Sequence, residues 1–231
     1  MRYKHLFFDL DHTLWDFDAN ARATLEQLHL DLKLVDKGIH DFNEFYKNYL
    51  EHNTRLWERY RNGQIKQDEL RIKRMWLTLL DFKIADEDLA QQLNELFLQL
   101  LPTRTLLFPD TMETLDYLQQ KGYAMHLITN GFDEVQHSKL KYSGLSPYFE
   151  HVITSEISNS LKPKKEIFEF AFQRTGALPE ESIMIGDSMD IDMEGARNVG
   201  MDQVHVNYNH DEQAFSPTYT IYHLKELREI L

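Results

Sequence analysis

Five short apolar runs, separated by helical patterns, decide most of what this chain can fold into. Residues 5–8, 123–128, 151–154, 182–185 and 203–206 have the length and composition of strands. The helical patterns that precede the last four runs stop at Gly122, Gly144, Gly176 and Gly200. Glycine takes the left-handed conformation of a helix C-cap without steric cost. Short apolar strands alternating with helices predict an α/β fold: a Rossmann-like, mainly parallel sheet with helices on both faces.

One long stretch breaks the alternation. All six prolines lie at Pro102 or beyond, and between Trp15 and Leu101 the only glycines are Gly38 and Gly63. Apolar residues recur there at three- and four-residue spacing, as in Leu25, Leu28 and Leu32 or Leu89, Leu93, Leu96 and Leu100. That spacing predicts four helices packed as a small bundle. The expected organisation is a catalytic core of residues 1–15 and 102–231 with an all-helical cap, 16–101, inserted after the first strand.

Composition narrows the partners. The 231 residues carry 38 Asp and Glu against 25 Lys and Arg, a net charge of −13, and no cysteine. Without cysteine there is no disulfide framework, thiol catalysis or thiolate metal site. The acidity argues against a nucleic-acid polymer as partner, because tracking phosphates needs a basic face. No apolar run approaches the ~20 residues of a membrane span, and the start lacks the apolar stretch of a signal peptide. A soluble, cytoplasmic protein is expected; nothing in the pattern specifies an oligomeric state.

Four polar clusters fall where a parallel sheet places its ligands, just past the C-terminal ends of strands. Asp9-Leu10-Asp11-His12-Thr13 leaves the first strand and Thr129-Asn130-Gly131 the second. Lys162-Pro163 opens the helix after the third, and Gly186-Asp187-Ser188-Met189-Asp190-Ile191-Asp192 leaves the fourth. Any one of them reads as turn or cap chemistry. All four, in order, at four successive strand ends, read as one site.

Together these residues resemble the haloacid-dehalogenase-like hydrolase superfamily, whose four motifs match Asp9-x-Asp11-x-Thr13, Thr129, Lys162 and Gly186-Asp187-x-x-x-x-Asp192. The helical insertion looks like that superfamily's C1 cap, which would cover the catalytic rim. Asp9 is then the nucleophile, forming an aspartyl-phosphate. Asp11 protonates the leaving oxygen and later takes a proton from water. Dehalogenation is disfavoured, because the dehalogenase branch lacks the acid at the second position. The resemblance implies Mg²⁺, held by the side chains of Asp9 and Asp187 and the backbone carbonyl of Asp11. Thr129, Asn130, the amides near Gly131 and Lys162 would hold the phosphate. Thr13 would steady the loop, and Asp192 would act through water or orient Lys162.

Within the superfamily the chain looks most like bacterial pyrimidine 5′-nucleotidases, through Asp16-Phe17-Asp18 with Asn20 and through the turn Arg61-Asn62-Gly63-Gln64-Ile65. The implied partner is a small phosphorylated metabolite, a nucleoside 5′-monophosphate first. Trp15 and Phe17 are candidate walls for a nucleobase, and Arg59, Arg61 and Lys66 candidate contacts to a substrate. The same clusters would serve a sugar-phosphate phosphatase, a phosphomutase or a pyrophosphatase. A non-catalytic phosphate-binding module would be marked by loss of Asp9 or Asp11, and both are present. Lys164 and Lys165 depart from the usual pattern, since helix N-termini favour acids.

Overall fold

The computed structural model describes residues 2–231. Its strands are β1 His5–Phe8, β2 Ala124–Thr129, β3 His151–Thr154, β4 Ser182–Gly186, β5 Asp202–Val206 and β6 Tyr219–Ile221. The long helices are α1 Phe17–Asp31, α2 Phe42–Arg61, α3 Gln67–Asp81 and α4 Glu87–Leu100. They are followed by α5 Thr111–Gln120, α6 Asp133–Tyr142, α7 Ser155–Ser158, α8 Lys165–Thr175, α9 Glu194–Asn198 and α10 Leu227–Ile230.

Among the described residues the six strands make one parallel sheet in the order β3-β2-β1-β4-β5-β6. β1 is interior, so Leu6, Phe7 and Phe8 are all fully buried. On one face Phe7, Ile128, Ile153 and Met184 pack against Ile167, Phe168 and Ala171 of α8 and Ala196 of α9. The chain turns back between β1 and β4, which opens a crevice at the C-terminal ends of those strands. All four polar clusters lead out of that edge or meet it.

Two features depart from expectation. β6 is a sixth strand; its three residues, Tyr219-Thr220-Ile221, are too short and too polar to announce themselves, and only Ile221 is buried. After the polar cluster that leaves β4 a helix ending near Gly200 is expected; it is preceded by a wider turn, in which Ser188 O accepts both Asp192 N (3.0 Å) and Met193 N (3.1 Å). This wide turn, with its i→i+5 bond, precedes α9 and buries Asp192.

The chain divides into two units, one running to Phe17 and again from Thr105 to Leu231, the other Asp18–Arg104. The breaks fall slightly later than the expected 16 and 101. Asp16 N donates to Leu106 O at 3.1 Å and Trp15 bridges to Leu107, which keeps residues 16 and 17 with the sheet. Arg104 Nε donates to Thr24 Oγ1 at 3.2 Å, which keeps Arg104 with the helices. In that helical unit Leu25, Phe45, Tyr49, Leu70, Met75, Leu79, Leu93 and Phe97 are buried. Asp41 caps α2 by accepting from Asn43 N at 2.8 Å. Of the basic residues between Arg55 and Arg74, Lys73 pairs with Glu69 at 2.8 Å. Arg74 is interior: it donates to Asn53 Oδ1 at 3.2 Å and lies 4.8 Å from the Phe97 ring centroid.

Gly195 in α9 offers a test of this packing. Alanine in a helix interior normally gains about 1 kcal/mol over glycine. Here a Cβ would stand 2.5 Å from Cε2 of buried Phe168 and 3.1 Å from Cα of Pro163. Overpacking of that kind costs roughly 1–3 kcal/mol and reverses the sign. Gly195→Ala should therefore lower the urea midpoint of unfolding.

Candidate active site

The loop after β1 is wound tightly by its own backbone. Leu10 O accepts from Leu14 N (3.0 Å) and Trp15 N (2.9 Å), and His12 N donates to Trp15 O at 2.9 Å. His12 sits at φ 65°, the left-handed turn that lets the loop close. Thr13 is buried at its centre. Its Oγ1 donates to Asp187 Oδ1 at 3.0 Å and accepts from Asp187 N at 3.1 Å. Tyr208 OH donates to Thr13 O at 2.8 Å, and His205 Nε2 stands 2.9 Å from Asp187 O. The loops leaving β1 and β4 are thus tied together.

Lys162 is the hub. Its ammonium, 1% exposed, donates to Asp9 Oδ1 at 2.6 Å and to Asp192 Oδ1 at 2.7 Å. Asp192 Oδ2 accepts from Ser188 N at 3.1 Å, so both of its oxygens are engaged. Asn130 makes a reciprocal pair with the Lys162 backbone, accepting from Lys162 N at 2.7 Å and donating to Lys162 O at 3.0 Å. Ser155 Oγ donates to Asn130 O (3.1 Å) and Gly131 O (3.2 Å). A Cβ on Gly186 would collide with the Asp192 carboxylate, and one on Gly131 with the Gln136 amide. Only glycine lets those side chains approach so closely.

Asp11 is held by a helix that motif reading passes over. Lys139 Nζ donates to Asp11 Oδ1 at 2.6 Å and Gln136 Nε2 donates to Oδ2 at 3.0 Å. Gln136 also donates to Thr129 Oγ1 at 2.6 Å, and Gly131 N to the same oxygen at 3.1 Å. Both bonds occupy the lone pairs of that hydroxyl, so its proton is left to donate outward. The Lys139 ammonium stands 4.4 Å from the Trp15 ring centroid and 5.5 Å from that of Phe17. The two rings that sequence reasoning offers as candidate walls for a nucleobase thus also stand beside an intramolecular cation.

The electrostatics suit a divalent cation. Asp9, Asp187 and Asp192 each bring a carboxylate oxygen within 4.8 Å of the others. Burial and then the charges of Asp192 and Asp187 push Asp9 up to about 8, against the pull of Lys162. Burial and Asp192 likewise push Asp187 up to about 7. The two carboxylates beside Lys162 raise its pKa above the ordinary lysine value despite burial. Three carboxylates against one ammonium leave two negative charges over, in an all-oxygen donor set that fits Mg²⁺. With Asp192 engaged at both oxygens, Asp9 and Asp187 are the side chains left to hold it.

The structure therefore brings Asp9, Asp11, Thr13, Thr129, Asn130, Gly131, Lys162, Asp187 and Asp192 to one edge of the sheet. Asp190 is exposed. Lys164 and Lys165 are solvated, and Lys165 pairs with Glu169 at 3.4 Å. Arg59 and Arg61 end α2 and Lys66 precedes α3, all in the helical unit, with Arg59 and Lys66 exposed. Sequence reasoning misses Gln136 and Lys139. Their signal is a face of α6 that buries Gln136 and Lys139 beside Leu140, three and four residues apart.

A family model described as haloacid dehalogenase-like hydrolase matches residues 3–200. The pyrimidine 5′-nucleotidase PynA of Streptococcus pneumoniae is 32% identical over all of this chain and 96% of its own. The glyceraldehyde 3-phosphate phosphatase of Methanothermobacter thermautotrophicus is 29% identical over 99% of each chain. The magnesium-bound crystal structure of the putative HAD-hydrolase YfnB from Bacillus subtilis superposes with a TM-score of 0.90 and 29% identity, covering 100% of this chain and 99% of that one. With its parallel sheet, its strand-end carboxylates and a match over most of its length, the chain belongs to the haloacid dehalogenase-like hydrolases.

Proposed function

We propose that the protein is a Mg²⁺-dependent phosphomonoester hydrolase that works through an aspartyl-phosphate on Asp9, with nucleoside 5′-monophosphates as its substrates. The observation that carries this reading is the buried Lys162 joined to Asp9 at 2.6 Å and to Asp192 at 2.7 Å. It supports the reading by holding the Asp9 carboxylate beside a cation at the C-terminal edge of the sheet. Likeness to PynA supports the nucleotide, and likeness to the archaeal phosphatase keeps sugar phosphates as the competing substrate class.

Asp9 attacks phosphorus with the oxygen that Lys162 does not hold, and the ester oxygen leaves with a proton from Asp11. Asp11, now a carboxylate, takes a proton from water, whose oxygen attacks the acyl phosphate. Inorganic phosphate departs and the Asp9 carboxylate is restored. Lys139 and Gln136 hold the Asp11 carboxyl group in place for both proton transfers. The Thr129 hydroxyl and the Lys162 ammonium donate to the transferring oxygens, where fixed donors act most strongly. Mg²⁺, held by Asp9 and Asp187 with the Asp11 carbonyl, would neutralise charge on the phosphoryl group.

Phosphate release from a panel of nucleoside monophosphates and sugar phosphates tests the reading. Activity should disappear with EDTA and return with Mg²⁺, and the highest kcat/KM should fall on a nucleotide. No EDTA-sensitive release from any ester would remove the enzyme assignment; a sugar phosphate at the top would move the substrate. Asp9→Asn should reduce kcat by at least about a thousandfold, as losing a covalent nucleophile does. Lys139→Met should lower kcat by about 10- to 100-fold through a misplaced Asp11, with KM nearly constant in steady-state kinetics.

A further inference from the structure

At the opposite ends of the same strands stands a second group of ligating side chains that the phosphate chemistry does not use. His5 opens β1, His126 lies in β2, and His151 opens β3. In register, Phe7 pairs with His126 and His126 with His151. Side chains two residues apart share a face of a strand. His5, His126 and His151 therefore stand on the face that carries Phe7, Ile128 and Ile153. His5 and His126 stack with centroids 5.3 Å apart, and His126 and His151 are 5.4 Å apart. One donor atom from each of His126, Glu150 and His151 lies within 4.8 Å of the other two. Thr129 is three residues further along β2, about 10 Å away at strand rise.

His126 is 1% exposed. Its Nε2 is 3.1 Å from His5 Nδ1, whereas its Nδ1 is buried with no hydrogen-bond partner. An unpaired polar atom in that position costs stability unless something else engages it. Burial, reinforced by His5 and His151, holds the ring neutral, the form that ligates metals. If Nε2 carries the proton and donates it to His5, the Nδ1 lone pair is left for a ligand. A metal-bound histidine is oriented in this way, its second nitrogen fixed by a hydrogen bond.

We infer that His126, His151 and Glu150 form a second metal site, for a divalent transition ion of the zinc class, at the N-terminal edge of the sheet. Two imidazoles and one carboxylate are a borderline donor set that suits zinc, whereas the all-oxygen set at the other edge suits magnesium. Tetrahedral bonds of about 2.0–2.1 Å need donors nearer than the 4.8 Å envelope, and exposed Glu150 has the freedom to close in. Half-buried His151 and exposed Glu150 leave the ion a way in. β3 is the edge strand, so an ion bridging β2 and β3 would pin the margin of the sheet.

Calorimetric and thermal-melt titration with Zn²⁺ tests the site in the full chain carrying Asp187→Asn, which weakens the carboxylate site as a competitor. One zinc should bind and raise the melting temperature. Adding Glu150→Gln or His151→Gln should weaken binding by about tenfold or more and shrink that rise, as loss of metal contacts does. Glu150 is exposed, so its glutamine variant keeps the fold and the comparison stays open whatever His151→Gln does. Absence of zinc binding in the parent, or equal affinity with and without Glu150→Gln, would overturn the assignment.

Discussion

The rest of the site depends on one buried ammonium. Lys162 comes from the segment before α8, Asp9 from the end of β1, and Asp192 from the wide turn after β4. Taking a lysine out of water favours its neutral form, yet two carboxylates at 2.6 and 2.7 Å outweigh that and keep it charged. Removing one member of a buried charge group typically costs about 3–5 kcal/mol, because its partners stay buried and uncompensated. The contacts that organise the chemistry are therefore also what fasten three strand-end loops to one another. A neutral side chain at 162 would loosen the core as well as the candidate site.

Around that hub the site is assembled from backbone. Thr13 reads both the amide and the carboxylate of Asp187, and Asn130 reads both the amide and the carbonyl of Lys162. Reciprocal bonds of this kind fix a loop at two points and leave it little freedom to turn. Gly186 and Gly131 complete the arrangement by leaving room for the Asp192 carboxylate and the Gln136 amide. Such pre-organisation is what positions a nucleophile without reorganisation at the moment of reaction.

Much of this was legible in the residues themselves. Apolar runs of strand length bounded by glycines gave the parallel sheet, and polar clusters at their ends gave Asp9, Asp11, Thr129, Lys162 and Asp187, because strand direction and loop position are local properties. Tertiary partners were not legible. Gln136 and Lys139 look like ordinary polar positions on a weakly amphipathic helix, and only the folded chain shows both reaching Asp11. Trp15 and Phe17 read as candidate walls for a nucleobase, and nothing in the sequence announces the Lys139 ammonium beside their rings. β6 escaped for a different reason: three residues with one buried side chain carry no periodicity.

Charge distribution links the two edges of the sheet. The chain is acidic overall, at −13, yet its C-terminal edge buries three carboxylates around one ammonium. Burial, and then repulsion among them, pushes the pKa values of Asp9 and Asp187 up against the pull of Lys162, a strain that protons or a further cation would relieve. Under the proposed mechanism protonation would cost Asp9 its nucleophilicity, so a divalent ion would be the solution compatible with turnover. The N-terminal edge presents the converse problem: a neutral imidazole with a buried, unpaired nitrogen, where a lone pair rather than a negative charge lacks a partner. A hard ion would answer the first demand and a borderline ion the second, and a sheet only four to six residues deep in its central strands keeps the two edges apart.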